Sequence, residues 1–196
     1  MRAFTDYETT PEFTESVKLP AGAYEVTIKR AEDSETALCI LFDISEGEYR
    51  NYYMNKFTAD KKNYPNKAKY KGVLRLWYPN GGQYDDNAKK RMKTALKRIK
   101  DSNRLNVDFT KEWDGAALKG AKVGMIFRDQ EWEYNGSTGF TAQPYSIITS
   151  SDLKEGNFKL PEPKRLSTNA AAQTRTNSGY DEFEDMPTVE VEDLPF

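Results

Sequence analysis

Few side chains in this sequence could do chemistry. The chain has no histidine and a single cysteine, Cys39, in 196 residues. This excludes Ser-His-Asp and Cys-His catalysis, histidine-ligated zinc and a thiolate metal site. Carboxylates remain, and Asp129, Glu131 and Glu133 would share one face of a strand, where they could hold magnesium in a nuclease. Aromatic residues alternate with these acids, as on an ordinary amphipathic edge. We therefore predict no catalytic residue, no metal and no cofactor, with a magnesium-dependent nuclease as an alternative.

Cations and aromatic rings are concentrated in the middle of the chain. The net charge is −2, yet residues 47–104 carry 16 basic and five acidic side chains. An unpaired nucleic-acid strand needs cations for its phosphates and flat rings for its bases, and each stacked base contributes about 1–3 kcal/mol. We predict contacts to single-stranded DNA from Arg50, Tyr52, Lys56, Lys61, Lys62, Tyr64, Lys69, Arg75, Lys93 and Lys97. A solvated lysine-rich face without a ligand is the alternative.

A strand is predicted at residues 49–57. Its alternation assigns the aromatic residues of this region to two opposite faces. On a strand, Arg50, Tyr52 and Lys56 share one face, and Tyr53 and Phe57 lie on the other. We expect Tyr52 to stack on a base while Tyr53 and Phe57 lie in the core. Four further rings could stack on bases or lie in the core, and for the two tryptophans we expect the core: Trp77, Trp132, Tyr134 and Phe140.

The pattern of apolar residues predicts a mainly β fold. Residues 24–29 alternate apolar and polar side chains, and residues 36–44 form a nearly continuous apolar run, so both are predicted strands. Residues 122–127 and 131–134 are predicted to pair across a turn at 128–130, and Asn135-Gly136 is a strong hairpin signal before a strand at 140–149. Residues 59–71, rich in lysine, asparagine and tyrosine, are predicted to form a mobile loop.

One helix interrupts these strands. Residues 85–102 place apolar side chains at helical spacing, with acids at the start and lysines towards the end. Three strands, a helix and further strands is the order of an OB-fold, a five-stranded Greek-key barrel that often binds single-stranded nucleic acid. An SH3-like barrel or a mixed α+β sheet would give a similar pattern. We predict an OB-fold-like five-stranded barrel with one inserted amphipathic helix.

Charge and composition divide the chain near residue 161. Residues 1–160 are predicted to form the binding domain. Residues 161–179 are predicted to be a flexible linker, because the stretch 166–179 is small and polar with almost nothing to bury. Residues 180–196 form a predicted acidic tip with seven acids and no base. No apolar run approaches the roughly 20 residues of a membrane span, and residues 1–7 lack the apolar core of a signal peptide. We therefore expect a cytoplasmic protein without membrane association.

The chain ends on Asp193, Leu194, Pro195 and Phe196, a predicted protein-interaction motif. A terminal Phe presents a ring and an α-carboxylate together, which a partner can capture with an apolar pocket beside a basic residue. An acidic tip ending Glu-Asp-Leu-Pro-Phe after a polar linker resembles the C-terminus of bacterial single-stranded DNA-binding proteins. The resemblance implies recruitment of replication, recombination and repair proteins. A generic acidic tail is the alternative.

The body is similar to OB-fold single-stranded DNA-binding proteins of bacteriophages and prophages. The similarity lies in Leu-Pro-Ala-Gly-Ala-Tyr at 19–24, Phe-Asp-Ile-Ser-Glu-Gly-Glu-Tyr at 42–49 and the segment 124–136. It implies a non-enzymatic protein that coats single-stranded DNA in the bacterial host cell. An adaptor or DNA mimic working through the acidic tail is a further alternative. The sequence leaves the oligomeric state open, with a homo-oligomer among the options.

Overall fold

The computed structural model describes residues 17–166, together with Thr5 and Glu8. These residues form one five-stranded antiparallel sheet in the order β3-β2-β1-β4-β5. The strands are β1 (Gly22–Asp33), β2 (Ala37–Ile44), β3 (Val73–Trp77), β4 (Lys122–Tyr134) and β5 (Ser137–Ile148). The helices are α1 (Tyr52–Asn63), α2 (Asp85–Asn103), α3 (Ser150–Glu155) and a 3-10 turn at Gly115–Leu118.

The predicted mainly β fold with five strands is confirmed. The first strand lies at the centre between β2 and β4, as in a Greek-key sheet of the OB type. The sheet is not closed, however: β3 and β5 approach each other but share no hydrogen-bonded ladder. The five strands therefore form an open sheet and not a closed barrel. The opening lies between the two edge strands, β3 and β5.

The predicted third strand at residues 49–57 is wrong, because these residues enter helix α1. The buried carboxylate of Asp43, on β2, accepts the backbone N–H groups of Tyr53 (3.0 Å) and Met54 (3.0 Å), which lie in the first turn of α1. It also accepts the N–H of Ile44 (2.9 Å). A helix leaves its first N–H groups without partners, and Asp43 satisfies two of them from a neighbouring strand. The cap is non-local, so no local motif announces the helix.

The sorting of side chains along this segment is nevertheless correct for its core residues. Tyr53 and Phe57 are both 6% exposed. A spacing of four returns to the same face of a strand and also to the same face of a helix. Tyr52 and Lys56 have the same spacing, and the Lys56 ammonium lies 5.8 Å from the centre of the Tyr52 ring.

The third strand is β3, which follows the loop after α1. Leu74 and Leu76 are buried, and their neighbours along the strand are more exposed. Gly72 precedes it and accepts the N–H of Phe42; a side chain at position 72 would lie 2.4 Å from the Phe42 carbonyl oxygen. The predicted loop at 59–71 is shorter than expected, since α1 continues to Asn63 and Tyr70 is buried.

The turn predicted at residues 128–130 is also wrong, because β4 runs without interruption from Lys122 to Tyr134. Arg128, Asp129 and Gln130 all pair with β5. β1 ends its pairing with β4 at Phe127, so the β4–β5 pair projects beyond the sheet as a two-stranded ribbon. We call residues 128–143 the arm. Its tip is the predicted Asn135-Gly136 turn, in which both residues have positive φ.

Helix α2 is confirmed, with its end one residue beyond the predicted one. Ala95, Leu96 and Ile99 are its buried residues, and the helix packs against β3, β4 and β5. Its position between β3 and β5 places it beside the opening of the sheet. None of the helices in the described part of the chain is long and apolar enough to span a membrane.

Residues 161–166, at the start of the predicted linker, follow the outer edge of the arm. Lys164 forms a parallel bridge with Gln130, and the backbone of Lys164 exchanges hydrogen bonds of 2.8 Å with Asp129 and Glu131. The N–H of Leu166 donates to the Glu131 carboxylate (3.0 Å). The rest of the predicted linker and the whole predicted acidic tip lie outside the described residues.

Candidate nucleic-acid interface

A long groove of about 950 Å³ occupies the opening between the two edge strands. β3 forms one wall, residues 141–147 of β5 form another, and α2 covers one side. Tyr52, Tyr53 and Lys56 of α1 also contribute to its lining. The groove thus exists because the sheet is open and α2 does not fill the gap.

The lining of the groove is strongly cationic. Its charged residues include one acid, Asp85, and seven bases: Lys56, Lys71, Arg75, Lys90, Arg91, Arg98 and Arg128. These bases come from α1, α2, β3, β4 and the loop before β3, so the fold gathers them from distant parts of the sequence. A concave surface lined by one sign of charge concentrates the field and attracts polyanions.

The described part of the chain leaves these seven cations without ion pairs. None of them forms an ion pair with a carboxylate of residues 17–166. Cations elsewhere do so: Lys97 pairs with Asp101, Lys111 with Asp108, and Lys122 with two glutamates. The Nη2 atom of Arg75 is buried and has no hydrogen-bond partner in the described part of the chain. The groove therefore has unused capacity for anions.

The single acid of the groove is already engaged. Asp85 begins α2, and its carboxylate accepts the backbone N–H groups of Asn80 and Gly81, each at 2.9 Å. These donors hold the pKa of Asp85 below its usual value. Asp85 stays ionised at neutral pH, but it serves the loop that leads into α2 rather than a groove cation.

Two rings in the groove are open to a ligand, and a third is more enclosed. Trp77, at the end of β3, is 48% exposed, and Tyr84, directly before α2, is 71% exposed. Tyr145 of β5 is half-buried. Tyr78 is more constrained, because its hydroxyl donates to Asp33 (2.6 Å); burial and this bond raise its pKa to about 12. Trp77 and Tyr84 are the rings best placed to stack on bases.

The expectation that both tryptophans lie in the core is wrong. Trp132 is 40% exposed, and Tyr134 and Phe140 are 64% and 41% exposed. Trp132 lies across Gly139, its cross-strand neighbour, where a side chain would meet the indole at 2.7 Å. Trp77 is exposed because β3 is an edge strand, and Trp132 is exposed because the arm projects beyond the sheet.

The arm continues one surface of the groove. Arg128 and Gln130 line the groove, and Trp132 and Tyr134 follow at two-residue intervals on the same strand face. Phe140 is the cross-strand partner of Glu131 and shares its face. That face is the one away from Trp132. The Arg165 guanidinium covers Phe140 at 6.0 Å. A nucleic-acid strand that left the groove along β4 would meet Trp132 next.

Three of the ten residues predicted to contact DNA line the groove: Tyr52, Lys56 and Arg75. The ring of Tyr52 is half-buried and packs edge-to-face on Tyr49 and Tyr53, and its hydroxyl accepts the N–H of Leu19 (3.3 Å). Tyr52 is thus held in the wall and is a poorer stacking platform than Trp77. The other seven are exposed outside the groove: Arg50, Lys61, Lys62, Tyr64, Lys69, Lys93 and Lys97.

Several groove residues were not predicted from the sequence, for identifiable reasons. Arg91 and Arg98 are seven residues apart, hence on one face of α2, whereas Lys93 and Lys97 lie on the side of the helix away from Arg91. A helical projection of residues 85–103 would have separated the two groups. Arg128 and Tyr145 are brought together only by the β4–β5 register, which sequence spacing does not reveal.

The carboxylates considered for a nuclease do not gather into a metal site. No cluster of three or more acidic or cysteine side chains suited to a metal ion occurs within the described residues, and Glu131 contacts the backbone of Leu166. Comparisons with known proteins add no functional assignment, since no protein-family model matches the chain and no curated protein matches it.

Proposed function

We propose that this protein binds single-stranded DNA without sequence preference, through the groove between β3 and β5. The observation that carries the proposal is a set of seven groove cations that have no ion-pair partner among residues 17–166, together with the exposed rings of Trp77 and Tyr84. Cations engage phosphates, and exposed rings engage unpaired bases of any sequence. Bases inside a duplex are stacked on one another and do not offer their faces.

The wider role in the proposal comes from the sequence resemblance. Coating and protection of single strands during phage or prophage replication, recombination or repair follows from the similarity of the body to phage and prophage binding proteins. Recruitment of partner proteins through Asp193, Leu194, Pro195 and Phe196 follows from the similarity of the tip. Since the tip is outside the described residues, its role rests on the sequence.

Fluorescence anisotropy of labelled oligonucleotides tests the central proposal. The full chain is titrated onto dT oligomers, duplex DNA and RNA at two salt concentrations. We expect tight, salt-sensitive binding that favours the single strand over the duplex. Absence of binding to dT oligomers at low salt would overturn the proposal and favour an adaptor working through the tail. Incubation with magnesium, followed by electrophoresis, checks the nuclease alternative, for which cleavage products are the signature.

A deletion of residues 194–196 tests the division of labour. DNA affinity should be unchanged, because the groove is complete without these residues. Binding to host replication and recombination proteins, measured by pull-down against the intact chain, should be lost. A loss of DNA affinity on this deletion would contradict separate DNA-binding and recruiting parts.

A further inference from the structure

Two guanidinium groups of the groove share one aromatic ring. The guanidinium carbon of Arg128, on β4, lies 4.5 Å from the centre of the Tyr145 ring. That of Arg91, on α2, lies 5.6 Å from the same centre. Arg–ring contacts of this kind hold the guanidinium by electrostatic attraction to the ring. Tyr145 thus fixes two cations that come from different elements.

Within the described residues, no acid pairs with either of these charges. The helical neighbours of Arg91 are an Asn, a Thr and two Ala residues, at positions 87, 94, 88 and 95. Arg128 lies between Ile126 and Gln130 on its strand face and opposite Gln143. Neither guanidinium forms an ion pair with a carboxylate of the described chain. Two like charges held near one ring repel each other, and an anion that contacts both would offset that repulsion.

We infer that Arg91 and Arg128 form a phosphate clamp positioned by Tyr145, and that it binds a phosphodiester of the strand in the groove. This inference rests on the proposed function and adds the site at which the backbone is fixed. The planar guanidinium presents paired N–H donors that match phosphate oxygens. Tyr145 is a positioning residue: its ring carries the two guanidiniums and is not itself a free stacking platform.

The clamp separates charge from position in a measurable way. Arg91→Gln or Arg128→Gln removes a phosphate contact, so affinity for dT oligomers should fall about tenfold or more and the salt dependence should become weaker. Tyr145→Leu keeps both charges but releases them, so affinity should fall about fivefold with an unchanged salt dependence. Tyr145→Phe keeps the ring and should bind like the wild type. A purely structural role for Tyr145 would not produce this contrast.

Matched controls use cations outside the groove. Lys89 lies on the side of α2 away from Arg91, and Arg104 directly follows that helix. Both side chains are exposed, and neither lines the groove, so Lys89→Gln and Arg104→Gln serve as controls. Both variants should bind like the wild type. Thermal denaturation of every variant shows whether the fold is kept. If Tyr145→Leu does not fold, the two Arg→Gln variants and their double mutant still test the clamp, because two residues on one phosphate should give non-additive losses.

The outcomes distinguish this inference from the proposed function. If the wild type fails to bind dT oligomers at low salt, the proposed function falls and the clamp with it. If the wild type binds but the Arg→Gln variants match the Lys89→Gln control, the clamp alone is overturned. Oligomers with a 5′-phosphate or a 5′-hydroxyl should bind equally. A preference for the 5′-phosphate that disappears in Arg91→Gln would overturn the phosphodiester assignment in favour of a strand end.

Discussion

The salt dependence of DNA binding should identify which lysines contact the backbone. Lys71 and Lys90 line the groove, whereas Lys93 and Lys97, which the sequence predicted to be contacts, lie outside it on α2. All four are exposed lysines, so Lys→Gln changes in each pair are comparable. The structure-based expectation is that Lys71→Gln/Lys90→Gln weakens binding and that Lys93→Gln/Lys97→Gln does not.

The magnitude follows from counterion release. Each phosphate contact on a single strand contributes about −0.7 to the slope of log Kobs against log[salt]. If each of the seven groove cations engages one phosphate, the slope is about −5, which corresponds to a roughly 10³-fold loss of affinity between 50 and 200 mM salt. Losing two contacts should make the slope less steep by about 1.4. The loss of affinity over the same range of salt should then be only roughly 10²-fold.

Anisotropy titrations of a dT oligomer at four or more salt concentrations give the slopes. Lys97→Gln also removes the ion pair with Asp101, which at this exposed site contributes about 0.3–0.5 kcal/mol, so folding is checked in parallel. Equal slopes for both double variants would show that the groove is not the phosphate path. A larger effect of the Lys93/Lys97 pair would return the binding surface to the outer face of α2.

Four further predictions follow from three individual side chains. Asp43→Ala should lower the free energy of unfolding by about 2–4 kcal/mol in urea titrations, because it leaves buried N–H groups unpaired. Burial raises the pKa of Asp43, so its protonation stabilises the fold: relative to Asp43→Asn, the wild type should gain stability as pH falls through the folded-state pKa, with the gain complete below 3.8. Tryptophan fluorescence should be quenched by dT oligomers, and Trp77→Phe should remove much of the quenching, whereas Trp113→Phe, which changes a ring packed on Phe109, should not. Trp132→Ala should weaken binding to oligomers that reach the arm by about 1–3 kcal/mol, whereas Phe140→Ala, on the opposite face with similar exposure, should not.

The sequence predicted those parts of the fold that depend on local pattern. The apolar run of β2, the alternation of β1, the amphipathic α2 and the Asn135-Gly136 turn are all local, and all are confirmed. Helix α1 was missed because its cap, Asp43, is supplied from β2. The polar residues 128–130 resemble a turn, and they remain in a strand because the arm is exposed to solvent beyond the sheet.

The candidate site was less predictable than the fold because the groove is assembled from five separate parts of the chain. The excess of cations in residues 47–104 correctly indicated the charge of the surface but not its location. The location of this surface depends on which side of α2 faces the open edge of the sheet. It also depends on the β4–β5 register, which places Tyr145 near Arg128. Composition can therefore indicate a polyanion partner, whereas the individual contacts require the packing.

The open edge of the sheet connects the fold to the proposed function. Hydrogen bonding between β3 and β5 would close the sheet and bring together the walls that carry Arg75, Trp77 and Tyr145. Instead, α2 packs beside the gap with its buried residues towards the sheet, and this orientation turns Arg91 and Arg98 into the groove and Lys93 and Lys97 away from it. The packing that buries Leu96 and Ile99 thus also determines which cations of the helix can contact a DNA strand. A change in the core face of α2 that rotates the helix should alter DNA affinity without altering the charge of the protein.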